Sequence, residues 1–87
     1  MKRDEIIANI YNCFSSVGLE LVEDISEGSI DLTAFIPDSI AFITVVIELE
    51  DVFNITFPED VFISELFGNS SLLIDVIQRI TANDYNK

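Results

Sequence analysis

The sequence predicts an all-α protein: a small four-helix bundle of three main helices and one short helix, with a long loop between the first two. Apolar residues recur at three- and four-residue spacing in three separate stretches, which is typical of amphipathic helices. The strongest stretch, residues 39–53, contains no Gly or Pro and is too long for an ordinary strand. A chain of 87 residues has the length of one small domain, so we expect a single domain over residues 1–87.

The periodicity predicts a first helix over about residues 3–17, which Gly18 ends. Its core face consists of Ile6, Ile10, Cys13, Phe14 and Val17. Residues 18–38 lose the periodicity and are predicted to form a long, largely solvated loop. Apolar residues of this loop are expected to pack across the core: Leu21, Ile25, Ile30, Leu32, Phe35 and Ile36.

The second helix is predicted over about residues 39–53. Four residues form its core stripe at about 100° per residue, flanked by two more: Phe42, Val46, Leu49 and Phe53, with Ile43 and Val45 beside them. Pro58 opens a short helix over about 59–67, which Gly68 ends. A last helix is predicted over about 70–82, with Asn69 or Ser70 as its N-cap.

Charge and composition exclude several classes of function. Sixteen acidic residues stand against four basic ones, for a net charge of −12, which argues against nucleic acid or an anionic membrane as a direct partner. With no His and one Cys, a single chain cannot build a structural zinc site, a disulfide framework or a His-based triad. We therefore expect a non-catalytic, monomeric protein that presents something to its partners.

The N-terminal sequence favours a cytoplasmic location. Asp4 and Glu5 interrupt the basic-then-apolar pattern of a signal peptide, and no apolar run is long enough to span a bilayer. No metal site is expected either. Asp24, Glu27 and Asp31 lie close in sequence but do not form a calcium-binding EF-hand loop.

The candidate functional residues lie at the start of the second helix, in Asp38-Ser39-Ile40. On local pattern alone, a helix N-cap is the favoured interpretation, because Asp and Ser oxygens commonly accept backbone N–H bonds there. The sequence that follows the tripeptide favours a functional serine instead. The tripeptide opens a helix that ends Leu-Glu-Asp-Val-Phe, and Ile-Thr-Phe-Pro follows over residues 55–58.

This pattern resembles the acyl carrier and peptidyl carrier protein family. That family shows Asp-Ser-(Leu/Ile), a helix ending in Leu-Glu-(acidic)-x-Phe, a short apolar stretch and often Pro. One departure is Ile36-Pro37, where the family usually has Gly-x before the Asp. The departure leaves open which transferase recognises the domain.

The resemblance implies that Ser39 carries a 4′-phosphopantetheine arm, added from coenzyme A by a separate Mg²⁺-dependent transferase that recognises Asp38. The arm's thiol would hold acyl or aminoacyl groups as thioesters, and Cys13 is interpreted as a small buried hydrophobe. Fatty acyl, polyketide and aminoacyl cargoes are all compatible with the sequence. The alternative is an acidic interaction module that binds a basic partner and is never modified.

A partner-binding face is predicted on the second helix, opposite its core stripe. Ile40 and Ile47 project outward beside Thr44, and the acidic residues of this face are Glu48, Glu50 and Asp51. One interpretation is a solvated acidic face with two isolated apolar residues, which is common on surfaces. The resemblance favours the other, in which this helix docks loading and synthase enzymes through their basic patches.

Overall fold

The structure is a computed structural model that describes residues 1–57 and 63–85, and every regular element in these ranges is helical. Four α-helices are present there: α1 (Arg3–Ser16), α2 (Ser39–Phe53), α3 (Ile63–Phe67) and α4 (Ser70–Tyr85). A 3-10 helix, Leu32–Phe35, lies in the connection between α1 and α2. The predicted all-α class is confirmed.

The helix bounds follow the apolar periodicity closely. α1 and α2 agree with the ranges predicted as 3–17 and 39–53, and α4 continues past the predicted end at 82 to Tyr85. α3 corresponds to the second half of the predicted short helix, whose predicted start at Pro58 and Glu59 lies outside the described residues. None of the helices in the described ranges is long and apolar enough to cross a membrane.

Left-handed residues end α1 and α2. Gly18 has φ +83 after α1, and the Leu19 N–H donates to the Phe14 carbonyl at 2.9 Å. Asn54 has φ 55 after α2, and the Ile55 N–H donates to the Glu50 carbonyl at 3.0 Å. Both ends are Schellman motifs, which satisfy carbonyls that the helix leaves without partners.

The core draws on all four helices and on the connections between them. α1 packs against α2 and α4, and α3 packs against α4 and the 3-10 helix. Phe42 of α2 meets Phe67 of α3 edge to face, with ring centroids 5.0 Å apart. Aromatic pairs favour this arrangement because the positive ring edge faces the negative ring face. The contact therefore helps to hold α3 against α2.

The buried stripe of α2 differs from the predicted one. Val45, Leu49 and Phe53 are buried, whereas Phe42 and Val46 are only partly so. Ile43, predicted to flank the core, is 56% exposed. At about 100° per residue, Ile43 lies about 120° around the helix from Leu49, and the core does not reach that far. The prediction for Ile43 is therefore wrong.

The long connection packs across the core, as predicted. Ile25 and Leu32 are almost fully buried, and the other predicted anchors are partly buried against the same cluster: Leu21, Ile30, Phe35 and Ile36. Of the two predicted caps of α4, Asn69 fills the role, since its Oδ1 accepts the Leu72 N–H at 3.1 Å. Ser70 is instead fully buried and bonds to the connection at Ile30.

Candidate functional site

Asp38 is the N-cap of α2. Its backbone is extended, with φ −156 and ψ 176, and its Oδ1 accepts the Ala41 N–H at 2.8 Å. Its carbonyl accepts the Phe42 N–H at 3.0 Å, the first bond of the helix. The carboxylate thus performs the capping that the sequence allowed either Asp38 or Ser39 to perform.

Ser39 is the first helical residue, and its side chain is exposed. Its hydroxyl makes no hydrogen bond to any described residue, so it is open to an incoming reagent. The N–H groups of the first residues of a helix lack intrahelical partners, and Asp38 satisfies that of Ala41. The N–H groups of Ser39 and Ile40 therefore remain for an anion, which the positive end of the helix dipole also favours.

An exposed apolar stripe begins beside Ser39. Ile40 is 76% exposed and Ile47 is 59% exposed. Ile43, which was predicted to flank the core, lies between them on the same side. We call these three residues the isoleucine stripe. No charged residue occurs from Ser39 to Ile47, so the half of α2 nearest the hydroxyl is uncharged.

The three acidic residues predicted for the partner-binding face occupy different environments. Glu48 is partly buried, and its Oε2 accepts the Ser16 hydroxyl of α1 at 3.3 Å. Glu50 is also partly buried, and its Oε2 accepts the Phe57 N–H at 2.9 Å. Asp51 is exposed and makes no side-chain hydrogen bond within the described part of the chain. Of the three, Asp51 presents the most accessible charge.

Cys13 lies in the core, 1% exposed, as its place on the apolar face of α1 predicts. Burial, and secondarily the nearby charge of Glu48, raises the pKa of Cys13 to about 11. Its thiol is therefore protonated near neutral pH. A buried, protonated thiol is a poor nucleophile, so Cys13 is unsuited to holding a thioester.

The basic residues that the structure describes lie on α1 and α4 or directly before α1. Arg3 Nη1 and Asp75 Oδ1 form an ion pair at 2.9 Å that joins α1 to α4, and Arg79 is exposed on α4. No Lys or Arg occurs between Asp4 and Gln78. Within residues 1–57 and 63–82, no three His, Cys, Asp or Glu side chains converge as metal ligands would.

Comparisons of the chain with protein-family models, curated proteins and solved structures find no match. The likeness to carrier proteins therefore rests on the Asp38-Ser39-Ile40 tripeptide, on the helix that follows it and on the acidic composition. Sequence reasoning did not predict the hydrogen bonds that Tyr11 and Ser70 make to the long connection, although it offered Ser70 as a possible helix cap. No short-range pattern marks either of them.

Proposed function

We propose that this protein is a carrier that holds acyl or aminoacyl intermediates as thioesters on a 4′-phosphopantetheine arm attached to Ser39. The observation that supports the proposal best is an exposed hydroxyl at the first residue of α2, directly after the capping Asp38. Because the cap is the neighbouring carboxylate, the hydroxyl has no structural task within the described residues. Modification would leave the helix start intact.

The attachment needs chemistry that this chain does not supply. In forming the arm, Ser39 Oγ would bond to the phosphorus on the pantetheine side of the coenzyme A pyrophosphate. The bond from that phosphorus to the bridging oxygen would break, adenosine 3′,5′-bisphosphate would leave, and the serine would lose its hydroxyl proton. The sequence contains no His to take that proton, so the base and the Mg²⁺ must come with the transferase. The protein is a substrate in this step, and we propose no catalytic residue for it.

The environment of Ser39 suits a phosphodiester. The N–H groups of Ser39 and Ile40 and the helix dipole favour a negative group there, while the Asp38 carboxylate opposes it. Asp38 is satisfied in part by the Ala41 N–H, and its exposure allows water to screen the repulsion. The exposed carboxylate of Asp38 is also accessible to the transferase, and recognition by the transferase is the role proposed for it.

The fold supports the same proposal at a coarser level. We propose that α1–α4 form the four-helix bundle of a carrier domain, since α1 packs against α2 and α4 while α3 packs against α4. The bundle leaves each residue of the isoleucine stripe more than half exposed, and Asp51 lies further along α2. We propose this face as the one that meets loading and synthase enzymes. Glu48 and Glu50 contribute charge there while they also hold neighbouring segments.

The partners are proposed from charge and from the arm. A net charge of −12 favours enzymes with basic docking patches and disfavours nucleic acid and membrane insertion. Mutual repulsion of two such chains favours a monomer. A cytoplasmic location is proposed from the need for coenzyme A.

Mass spectrometry of the intact protein tests the proposal. The full chain is incubated with coenzyme A, Mg²⁺ and a phosphopantetheinyl transferase of broad specificity, and it should gain one phosphopantetheine. Ser39→Ala should gain none while keeping its helical circular dichroism. Ser15→Ala, which removes an exposed serine of α1, is the matched control and should be modified like the wild type.

Two results would contradict the carrier assignment. One is modification that persists in Ser39→Ala. The other is an unmodified wild type under conditions in which a known carrier is fully modified. The second result favours the alternative of an acidic module that binds a basic partner without modification. In that case, binding through the isoleucine stripe should be the same for wild type and Ser39→Ala.

A further inference from the structure

The connection between α1 and α2 is held at two separate places by buried or partly buried polar groups. Near its start, the Tyr11 hydroxyl donates to the Glu23 carbonyl at 2.5 Å and accepts the Ile25 N–H at 3.0 Å. Further along, the Ile30 N–H donates to Ser70 Oγ at 2.9 Å, and the Ser70 N–H donates to the Ile30 carbonyl at 2.9 Å. Ser70 is fully buried and Ile30 is partly buried, so these bonds are largely shielded from water.

The part of the connection that Ser70 holds has exposed residues on both sides of it. Residues 26–29 are exposed, and Gly28 has φ +75, a conformation that glycine adopts without strain. Pro37 and Asp38 are exposed at the other end. Between these boundaries, Leu32 is fully buried and the 3-10 helix packs against α3.

We propose that residues 30–36, which we call the strap, open and close as one unit, with Ser70 as the latch. The inference does not depend on the carrier function. α2 can stay in place when the strap opens, because Val45 and Leu49 hold it in the core against α1. The strap is joined to Asp38 by Pro37 alone, so its opening frees the chain that precedes Ser39.

The physical basis is the weakness of the strap on its own. A 3-10 helix of four residues has no independent stability in water, so its hydrogen bonds exist only while Leu32 is docked. Those bonds join the Ala34 N–H to the Asp31 carbonyl and the Ile36 N–H to the Thr33 carbonyl. Once Ser70 releases Ile30, these amides become accessible to solvent together.

Hydrogen exchange of the full chain, followed by NMR, tests the proposal. In Ser70→Ala, the closed strap leaves the partly buried Ile30 N–H without its acceptor, which raises the equilibrium constant for strap opening. The amides of Ile30, Ala34 and Ile36 should then exchange about tenfold faster or more. The Ile25 amide, which Tyr11 holds, should be unchanged.

Tyr11→Phe is the matched control because it removes the other hydroxyl that holds the connection. It should accelerate exchange of the Ile25 amide and leave the three strap amides unchanged. In the wild type, low urea should accelerate the strap amides with one common slope, weaker than that of the Leu49 amide, because strap opening exposes less surface than global unfolding. This measurement does not depend on how well either variant folds.

Three outcomes would overturn the proposal. If Ser70→Ala accelerates the α2 amides by the same factor, the opening is global. If the Ile30 amide alone accelerates, Ser70 holds one residue and not a strap. If the strap amides show no protection in the wild type, the strap is not closed in solution.

Discussion

The carboxylate of Asp38 accepts the backbone N–H of Ala41 at 2.8 Å, so the start of α2 is capped without the Ser39 hydroxyl. Asp38 caps the helix, and Ser39 is left exposed with no hydrogen-bond partner among the described residues. Capping and covalent modification would otherwise compete for one hydroxyl. Because the proposed modification falls on Ser39 and the cap is Asp38, capping and modification can be tested by separate substitutions.

The first prediction follows from that division. Asp38→Ala should lower the free energy of unfolding by about 0.5–2 kcal/mol, since it removes the cap. Ser39→Ala should change it by less than about 0.5 kcal/mol, as is usual for exposed positions. Asp38→Asn is the control, because an amide oxygen also caps. Urea unfolding measures all three, and an equal loss in Ser39→Ala and Asp38→Ala would show that the serine shares the capping.

The second prediction separates Glu50 from Asp51. Glu50→Ala leaves the partly buried Phe57 N–H without its acceptor, so it should lower the free energy of unfolding by about 1–3 kcal/mol. Asp51→Ala, at the next position but exposed, should change it by less than about 0.5 kcal/mol. Equal losses in urea unfolding would contradict the structural role assigned to Glu50.

The third prediction compares the isoleucine stripe with the core. Leu49→Ala should lower the free energy of unfolding by about 2–5 kcal/mol because Leu49 is fully buried. Ile47→Ala should have little effect on stability and should chiefly speed dissociation from the transferase. Asp51→Lys should instead slow association and flatten its salt dependence, since exposed charges steer encounter. Binding kinetics and thermal melts distinguish these cases, and similar melts for Ile47→Ala and Leu49→Ala would place the stripe in the core.

The fourth prediction concerns Cys13. Because burial raises its pKa to about 11, iodoacetamide at neutral pH should label the native protein very slowly and the unfolded protein rapidly, as read by mass. A thiol pKa raised by folding contributes stability that is present below the unfolded pKa, about 8.5, and is lost as pH rises toward 11. Cys13→Ser should lack this alkaline loss. Rapid labelling of the native chain would show that the thiol is accessible.

The fifth prediction concerns charge repulsion. With a net charge of −12, the folded chain repels itself at neutral pH, so its melting temperature should rise with added NaCl or millimolar MgCl₂. Lowering the pH toward the carboxylate range should also relieve the repulsion. Asp24 responds to pH in the opposite direction. Hydrogen bonds from the side chain and N–H of Ser26 lower the pKa of Asp24, so its contribution to folding stability is lost as the pH falls through this lowered pKa. A melting temperature that stays flat or falls with both salts would contradict dominant repulsion.

Much of the fold was predictable because helices are specified locally. Apolar residues at helical spacing predicted α1 and α2, and the absence of Gly and Pro from residues 39–53 marked α2 as one uninterrupted helix. Gly18 predicted the end of α1 because glycine adopts the left-handed conformation without strain, which is a property of that single residue. Asp38-Ser39-Ile40 could be assigned to a helix start on the same local grounds.

Tertiary packing decided what local pattern left open. Periodicity predicts the order of residues around α2. The edge of the core is set only by where α1 and the connection pack against α2, and Ile43 lies beyond that edge and is exposed. Glu50 accepts the Phe57 N–H and Ser70 accepts the Ile30 N–H because an N–H that is partly buried needs an acceptor, whichever residue the fold brings near it. Ile30 and Ser70 are forty positions apart, so no pattern along the chain could have paired them.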